Sequence, residues 1–199
     1  MAIFSPGFTG RRNTDDVKLP PGQYLERGFP VLTAGPTQRI RTDQWEFSIV
    51  TETGEKKAWN WQGMLDLGPE KIDTDIHCVT SWSKFGTTWK GVSLDKFLDG
   101  IETTADYVMA TSYGGYTTNL PLAEITGGKA WVAYEFDGKD LHAEHGGPAR
   151  LLVPALYFWK SAKWVTSLRL MNGDAPGFWE QNGYNMHGDP WREERYWGQ

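Results

Sequence analysis

Apolar and polar residues alternate in several short runs, and that alternation predicts a chain built mainly of strands. Trp45-Glu46-Phe47-Ser48-Ile49-Val50 puts Trp45, Phe47 and Ile49 on one face. Lys71–Val79 does the same with Ile72, Ile76 and Cys78. Ala105–Ala110, Lys129–Phe136, Arg150–Val153 and Trp164–Met171 read as further strands, and Thr117–Leu122 as extended. Turn chemistry falls between them at Thr53-Gly54, Gly114-Gly115 and Asp137-Gly138. Helical signals are short. Asn60 is placed to cap a helix over Trp61–Leu67 that Gly68-Pro69 stops, and Ser93 to cap one over Leu94–Leu98. Leu122–Ile125 is one helical turn, and the sequence from Asn172 onward is irregular, aromatic and charged. The expected class is α+β, a mixed β-sheet core with short helices.

Composition narrows the partners. The length of 199 residues predicts one domain over 24–199, preceded by an extended arm over 1–23 that Leu19-Pro20-Pro21-Gly22 stiffens. A net charge of -5 gives no basic footprint, so nucleic acid is not an expected partner. No run is long and apolar enough to cross a membrane. The first residues lack the charged and apolar regions of a signal peptide. Arg11-Arg12 leads into Asn13-Thr14-Asp15-Asp16 rather than an apolar stretch, which rejects a twin-arginine export signal. With a single cysteine, the expected location is cytoplasmic. Eleven tryptophans are more than a core of this size needs, and some of them suit the walls of a pocket for a flat ligand.

That single cysteine, Cys78, excludes a disulfide within the chain and a multi-cysteine zinc site. It lies where its strand runs out into polar Thr80 and Ser81. Four readings stay open: a small buried hydrophobe, a nucleophile, a redox thiol, or one soft thiolate ligand to a metal otherwise held by a non-protein group. A second candidate is His145-Gly146-Gly147-Pro148-Ala149-Arg150, where two glycines allow close backbone approach by a ligand and Arg150 offers a planar fork to a phosphate. A third is Lys160-Ser161-Ala162-Lys163-Trp164, where small residues beside a lysine suit a phosphate or a polar ring. A turn and solvated cations explain each of these equally well when taken alone. His142 and His145 with Glu144 are the only hint of a zinc site, and two histidines three apart in a loop are more often incidental.

Taken together, these stretches resemble the molybdopterin-binding domain of the sulfite oxidase superfamily. The matching pieces are Cys78-Val79-Thr80-Ser81-Trp82-Ser83, Trp89-Lys90-Gly91-Val92, the His145–Arg150 loop running on to Pro154, and Lys160–Trp164, in the family's order over roughly residues 40–190. The resemblance implies a molybdenum cofactor, Mo-molybdopterin. It implies Cys78 as the metal's thiolate ligand. His145, Arg150, Ser161, Ala162 and Lys163 then hold the pterin and its phosphate, with Thr111 or Ser112 as a further contact. Arg27, within Tyr24–Gly28, falls where the family's N-terminal cofactor loop lies. Tyr184 stands where sulfite oxidases carry an active-site tyrosine. The implied reaction is a two-electron oxygen-atom transfer on a small sulfur substrate.

The departures bear on the substrate. Cys78 is followed by Val79-Thr80-Ser81-Trp82-Ser83-Lys84, without the arginines of sulfite oxidases, and this version is closer to the periplasmic protein-methionine sulfoxide reductases. The chain runs only a short way past Tyr184, so the second, dimer-forming domain of vertebrate and plant sulfite oxidases is not expected. No haem motif is present, so electrons are expected to pass through a separate transfer partner. Two alternatives stand beside sulfite-oxidase-like turnover: reduction of S- or N-oxides at the same centre, and a molybdopterin carrier without catalysis.

Overall fold

The computed structural model describes residues 18–199; most of the arm expected over 1–23 lies outside the described residues. The strands are β1 (Tyr24–Leu25), β2 (Glu46–Val50), β3 (Lys56–Asn60), β4 (Glu70–His77), β5 (Trp82–Ser93), β6 (Tyr107–Ser112), β7 (Thr117–Pro121), β8 (Trp131–Phe136), β9 (Lys139–Asp140), β10 (Arg150–Leu152) and β11 (Val165–Met171). The helices are short: α1 (Trp61–Asp66), α2 (Leu94–Leu98) and α3 (Phe178–Gln181).

The strands form the expected mixed β core, as two sheets. In the first, β5 pairs with β4, β8 and β1, β8 with β9 and β10, and only β1 runs parallel to its neighbour. The second has the order β3-β2-β11-β6-β7, with β2 and β11 parallel. Between them lies a core to which both contribute: Phe47, Ile49, Val108, Leu168 and Leu170 from one, Val92, Val132 and Leu151 from the other. Alternation reveals which residues of a strand turn inward. It does not reveal which sheet the strand joins.

Local signals behave as their chemistry dictates. Asn60 Oδ1 accepts from Gly63 N at 2.8 Å at the start of α1, and Ser93 Oγ from Asp95 N at 3.3 Å at the start of α2. Asp137 and Gly138 both have positive φ, 49° and 73°, as the tight hairpin β8–β9 requires. Four strands escaped the pattern, and two of them, β1 and β9, have only two residues each. β3 is exposed except for Trp59, so it carries no alternation. The twelve-residue β5 is interrupted by Gly86 and by Gly91. A Cβ on Gly91 would sit 2.7 Å from Val132 O, where β5 presses against β8.

A second, smaller core cluster lies beneath one end of the first sheet and contains Ile72, Ile76, Cys78, Trp82, Trp89, Tyr157 and Trp159. The C-terminal segment docks there through a buried ion pair, Glu180 of α3 to Lys160 at 2.7 Å, both with wholly inaccessible side chains.

Candidate active site

A cavity of about 430 Å³ opens above this second cluster. Six chain segments meet in its wall: the β4–β5 turn, the strap from Phe29 to Gln38, the β6–β7 turn, the two loops on either side of β10, and the C-terminal segment.

The β4–β5 connection is a tight turn. Cys78 N donates to Trp82 O at 2.8 Å, Ser81 N donates back to Cys78 O at 3.0 Å, and Ser81 takes the left-handed conformation at φ 75°. The Cys78 thiol is only 6% exposed and lies 3.2 Å from Thr80 Oγ1. Burial pushes its pKa up, against the lowering effect of the bonds to Thr80.

Arg150 joins the loops on either side of β10. Its guanidinium donates to Ser161 O at 2.6 Å and to His145 O at 2.8 Å, and lies 4.0 Å over the Phe158 ring. Lys163 Nζ is held by Glu144 O at 2.6 Å and Leu32 O at 2.7 Å. Burial draws the Arg150 pKa down to about 9, and burial with the nearby Arg150 charge draws Lys163 to about 8. Both stay charged at neutral pH. Among the described residues, carbonyls and not carboxylates hold these two cations. His145 is the reverse case. Burial first, then Arg150 and Lys163, push its pKa down to about 4, so its ring is neutral. It stacks on Phe29 with ring centres 3.9 Å apart and planes within 11°, and its Nδ1 is buried without a partner.

The glycines of this loop serve the chain itself rather than an approaching ligand. A Cβ on Gly147 would lie 2.0 Å from Leu141 O, and one on Gly146 would lie 3.0 Å from the Cβ atoms of Arg150 and Lys163. They let the two loops close on each other and so bring both cations to one wall.

The sequence candidates separate. Cys78, His145, Arg150, Ser161, Lys163 and Tyr184 all line the cavity. Ser161 Oγ accepts from Val153 N at 2.9 Å, which fixes the loop. Ala162 is buried in the inter-sheet core, outside the lining. Thr111 and Ser112 also lie outside it, and the turn just beyond them, Tyr113 to Tyr116, supplies that wall. Arg27 lies outside as well, its carbonyl accepting from Lys84 Nζ at 2.7 Å, and the strap enters the wall from Phe29 onward. Tyr184 stacks on Trp179 at 5.0 Å and meets Trp159 edge-on at 5.0 Å. Burial, then Tyr196 and Cys78, raise its pKa, so the hydroxyl keeps its proton. Trp179 is the tail tryptophan the sequence offers as a cover for the cofactor, while nothing local marks Phe29 or Phe158 and only the surplus of tryptophan points to Trp159. The histidine pair forms no metal site: no cluster of three or more His, Cys, Asp or Glu side chains suited to a metal occurs among the described residues.

Residues 34–179 match the family described as the oxidoreductase molybdopterin binding domain. The chain belongs to that family. It is 34% identical over 189 residues to the uncharacterized oxidoreductase YuiH of Bacillus subtilis, covering 94% of this chain and 96% of that one. It is 30% identical to the putative protein-methionine-sulfoxide reductase subunit YedZ1 of Azospira oryzae, covering 84% of this chain but 66% of that relative. Its fold is similar to the sulfane dehydrogenase SoxCD of Paracoccus pantotrophus, with a TM-score of 0.63 at 15% identity, over 74% of this chain and 42% of that one. The protein is a molybdopterin-binding oxidoreductase domain, and its cofactor is molybdenum on molybdopterin.

The cavity fits that cofactor on its own evidence. A buried guanidinium and a half-buried ammonium without carboxylate partners are what a phosphate neutralises. The unpartnered Nδ1 of His145 is a hydrogen-bonding atom awaiting a polar ligand atom. Aromatic walls suit a flat heterocycle, and the only thiol in the chain faces the same space.

Proposed function

We propose that this domain reduces a neutral S-oxide by two-electron oxygen-atom transfer, methionine sulfoxide being the fitting class. One observation carries the reading. Among the described residues lining the cavity, the only full charges are Arg150 and Lys163, and each is already held in the loops that fit the cofactor phosphate. Among the described residues of the wall, that leaves no cation to bind a substrate anion such as sulfite. Around Cys78 the wall is Val79, Thr80, Trp82, Trp159, Trp179 and Tyr184. That surface suits a polar, uncharged oxide flanked by apolar groups. Two relatives named as methionine-sulfoxide reductase components, YedZ1 and the catalytic subunit MsrP of Burkholderia mallei at 25% identity, agree with it.

When bound, molybdenum supplies the two electrons and the site for the oxygen atom. The chain does the rest. Cys78 offers one soft thiolate, Arg150 and Lys163 hold the phosphate, and His145 presents a neutral ring. Tyr184, protonated and without a hydrogen-bond partner of its own among the described residues, donates to the substrate oxygen. Reduction of one sulfoxide takes up two electrons and two protons, breaks the sulfur–oxygen bond, and releases the thioether and one water. The electrons come from a separate transfer partner, and we place the domain in the cytoplasm.

The test is turnover of the molybdenum-loaded domain with methionine sulfoxide and reduced viologen, beside sulfite and ferricyanide. Reduction of the sulfoxide with no sulfite oxidation supports the reading. Sulfite oxidation without sulfoxide reduction reverses it. Loaded protein inactive with every oxide and oxyanion tried is the carrier's result.

A further inference from the structure

The turn that carries Cys78 is fastened by two side chains from opposite ends of the chain, and both lie outside the family-matched segment 34–179. Gln23 Nε2 donates to Cys78 O at 3.0 Å, and Gln23 Oε1 accepts from Ser83 Oγ at 3.2 Å across the base of the same turn. Arg195 donates from one guanidinium nitrogen to Val79 O and from the other to Pro21 O at 3.1 Å. Its guanidinium lies 5.1 Å over the Tyr157 ring, and Arg195 is nearly buried. We propose that Gln23 and Arg195 are positioning residues for the metal's thiolate ligand.

The reasoning is geometric. Cys78 O and Val79 O are consecutive carbonyls, so fixing both fixes two peptide planes and the direction of the Cys78 side chain between β4 and the turn. The turn needs the restraint. It holds a non-glycine residue, Ser81, at φ 75°, a conformation that costs about 1 kcal/mol or more and persists only where the surroundings impose it. Within the matched segment the turn has its own backbone bonds to Trp82 and Ser81, the Cys78–Thr80 contact, and His77 Nδ1 against Ser83 Oγ at 2.8 Å, and none of these but the Ser81 bond reaches the Cys78 or Val79 carbonyl. Gln23 adds a second donor to the Cys78 carbonyl beside Ser81 N, which fills both of its lone pairs. Arg195 adds a charge-assisted donor to the next carbonyl, and through Pro21 it ties the N-terminal strap to the same point. Simple fastening of the two termini predicts a loss of stability alone; positioning predicts a change at the sulfur.

The proposal rests on Cys78 as the ligand, and the test separates the two. Cys78 is the only cysteine in the chain, so alkylation of the cofactor-free protein reads this sulfur alone, and normalising the rate to the thiolate fraction removes the effect of the Arg195 charge on the thiol's pKa. Gln23→Glu keeps size and the acceptor for Ser83 but turns a carboxylate toward the Cys78 carbonyl; Arg195→Met keeps the stem and removes the donors. Each is expected to raise the alkylation rate roughly tenfold, the effect of losing a hydrogen bond of this kind. Each is also expected to shift the g-values of the Mo(V) signal in loaded protein. Asn185→Ala removes hydrogen bonds within the C-terminal segment that do not reach the turn. It is expected to lower the melting temperature while leaving both sulfur readouts unchanged. Should Arg195→Met fail to fold, Arg195→Lys, with its charge but no fork, is expected to give an intermediate rate. Wild-type alkylation and g-values in Gln23→Glu and in whichever Arg195 variant folds overturn the positioning role. A Cys78→Ser protein that binds molybdenum with the wild-type signal overturns the ligand reading instead.

Discussion

Lys160 and Lys163 belong to one loop, Lys160 buried and Lys163 half-buried, and they do opposite things. Lys160 Nζ meets Glu180 Oε1 at 2.7 Å and three further oxygens, Asn119 O and Oδ1 at 2.8 Å and Met186 O at 2.7 Å. Its cage includes a full negative charge, so the site is complete. Lys163 meets only two carbonyls, and its neighbour Arg150 is likewise held by carbonyls. Burial lowers the pKa of both lysines, but at Lys160 the chief opposing influence is the Glu180 carboxylate, and at Lys163 a second cation adds to the cost. A buried cation with its own carboxylate is architecture. A buried and a half-buried cation side by side without one are a site kept ready for an anion from outside. Residue type and spacing are the same in both, so only the partners decide.

The largest effect is expected from breaking the closed site. Lys160→Met leaves Glu180 buried and unpaired, with Thr118 and Trp159 as its remaining donors at 2.9 and 2.8 Å. Truncating one partner of a buried pair costs roughly 3–5 kcal/mol. Chemical denaturation should show that loss in cofactor-free protein, and the double variant Lys160→Met/Glu180→Leu should recover most of it. Next comes the open site. Arg150→Met should lower cofactor retention by roughly 2–5 kcal/mol, as expected when one partner of a buried charge pair is removed. Its cost to the cofactor-free fold should be smaller than that of Lys160→Met. Equal molybdenum content in wild type and Arg150→Met would place Arg150 with Lys160 among the architectural cations.

The third variant separates anchoring from chemistry. The C-terminal segment that Glu180 anchors carries Tyr184 to the cavity. Tyr184→Phe keeps the ring stacked on Trp179 and removes only the hydroxyl. Turnover per molybdenum should fall by roughly one to three decades, the range for a lost positioned donor, with stability and molybdenum content unchanged. An unchanged rate would leave Tyr184 as a wall residue.

What was legible in the sequence divides along the same line. Alternating strands, helix caps and the Asp137-Gly138 turn were readable because a few adjacent residues determine each. The cavity-facing Cys78, His145, Arg150, Ser161, Lys163 and Tyr184 were readable from the family's motif order. The pairing of Lys160 with Glu180 was not, because it joins residues far apart in the chain and neither neighbourhood signals the other. Arg27, Thr111 and Ser112 lie one or two positions from the wall residues Phe29 and Tyr113 to Tyr116. The family's motif order brings the reading to these segments but leaves the register open by a residue or two, and the cavity wall there is Phe29 and Tyr113 to Tyr116. The glycines at 146 and 147 were noticed for the wrong reason, since a contact with Leu141 O is invisible in a linear sequence.

The smallest effect follows from protonation of the open site. Lys163 in the free cavity has a pKa of about 8, lowered by burial and by Arg150. An anionic phosphate beside it favours the ammonium form, so the pKa is higher in the loaded protein than in the free one. Binding therefore takes up a proton wherever Lys163 is neutral in the free protein. Affinity is full below about pH 8 and falls above it, by at most about one decade per pH unit for one proton. Arg150 at about 9 stays charged through the window just above 8, and the phosphate is already largely dianionic above about pH 7. The titrating group there is Lys163. Cofactor released on dialysis, measured between about pH 7 and pH 8.5, should rise with pH in the wild type. In Lys163→Met it should be higher throughout and nearly level with pH. Lys160 offers the contrast: its counter-charge is internal, so no external anion is coupled to its proton. A release curve in Lys163→Met as steep as in the wild type would remove Lys163 from the phosphate site and leave Arg150 there alone.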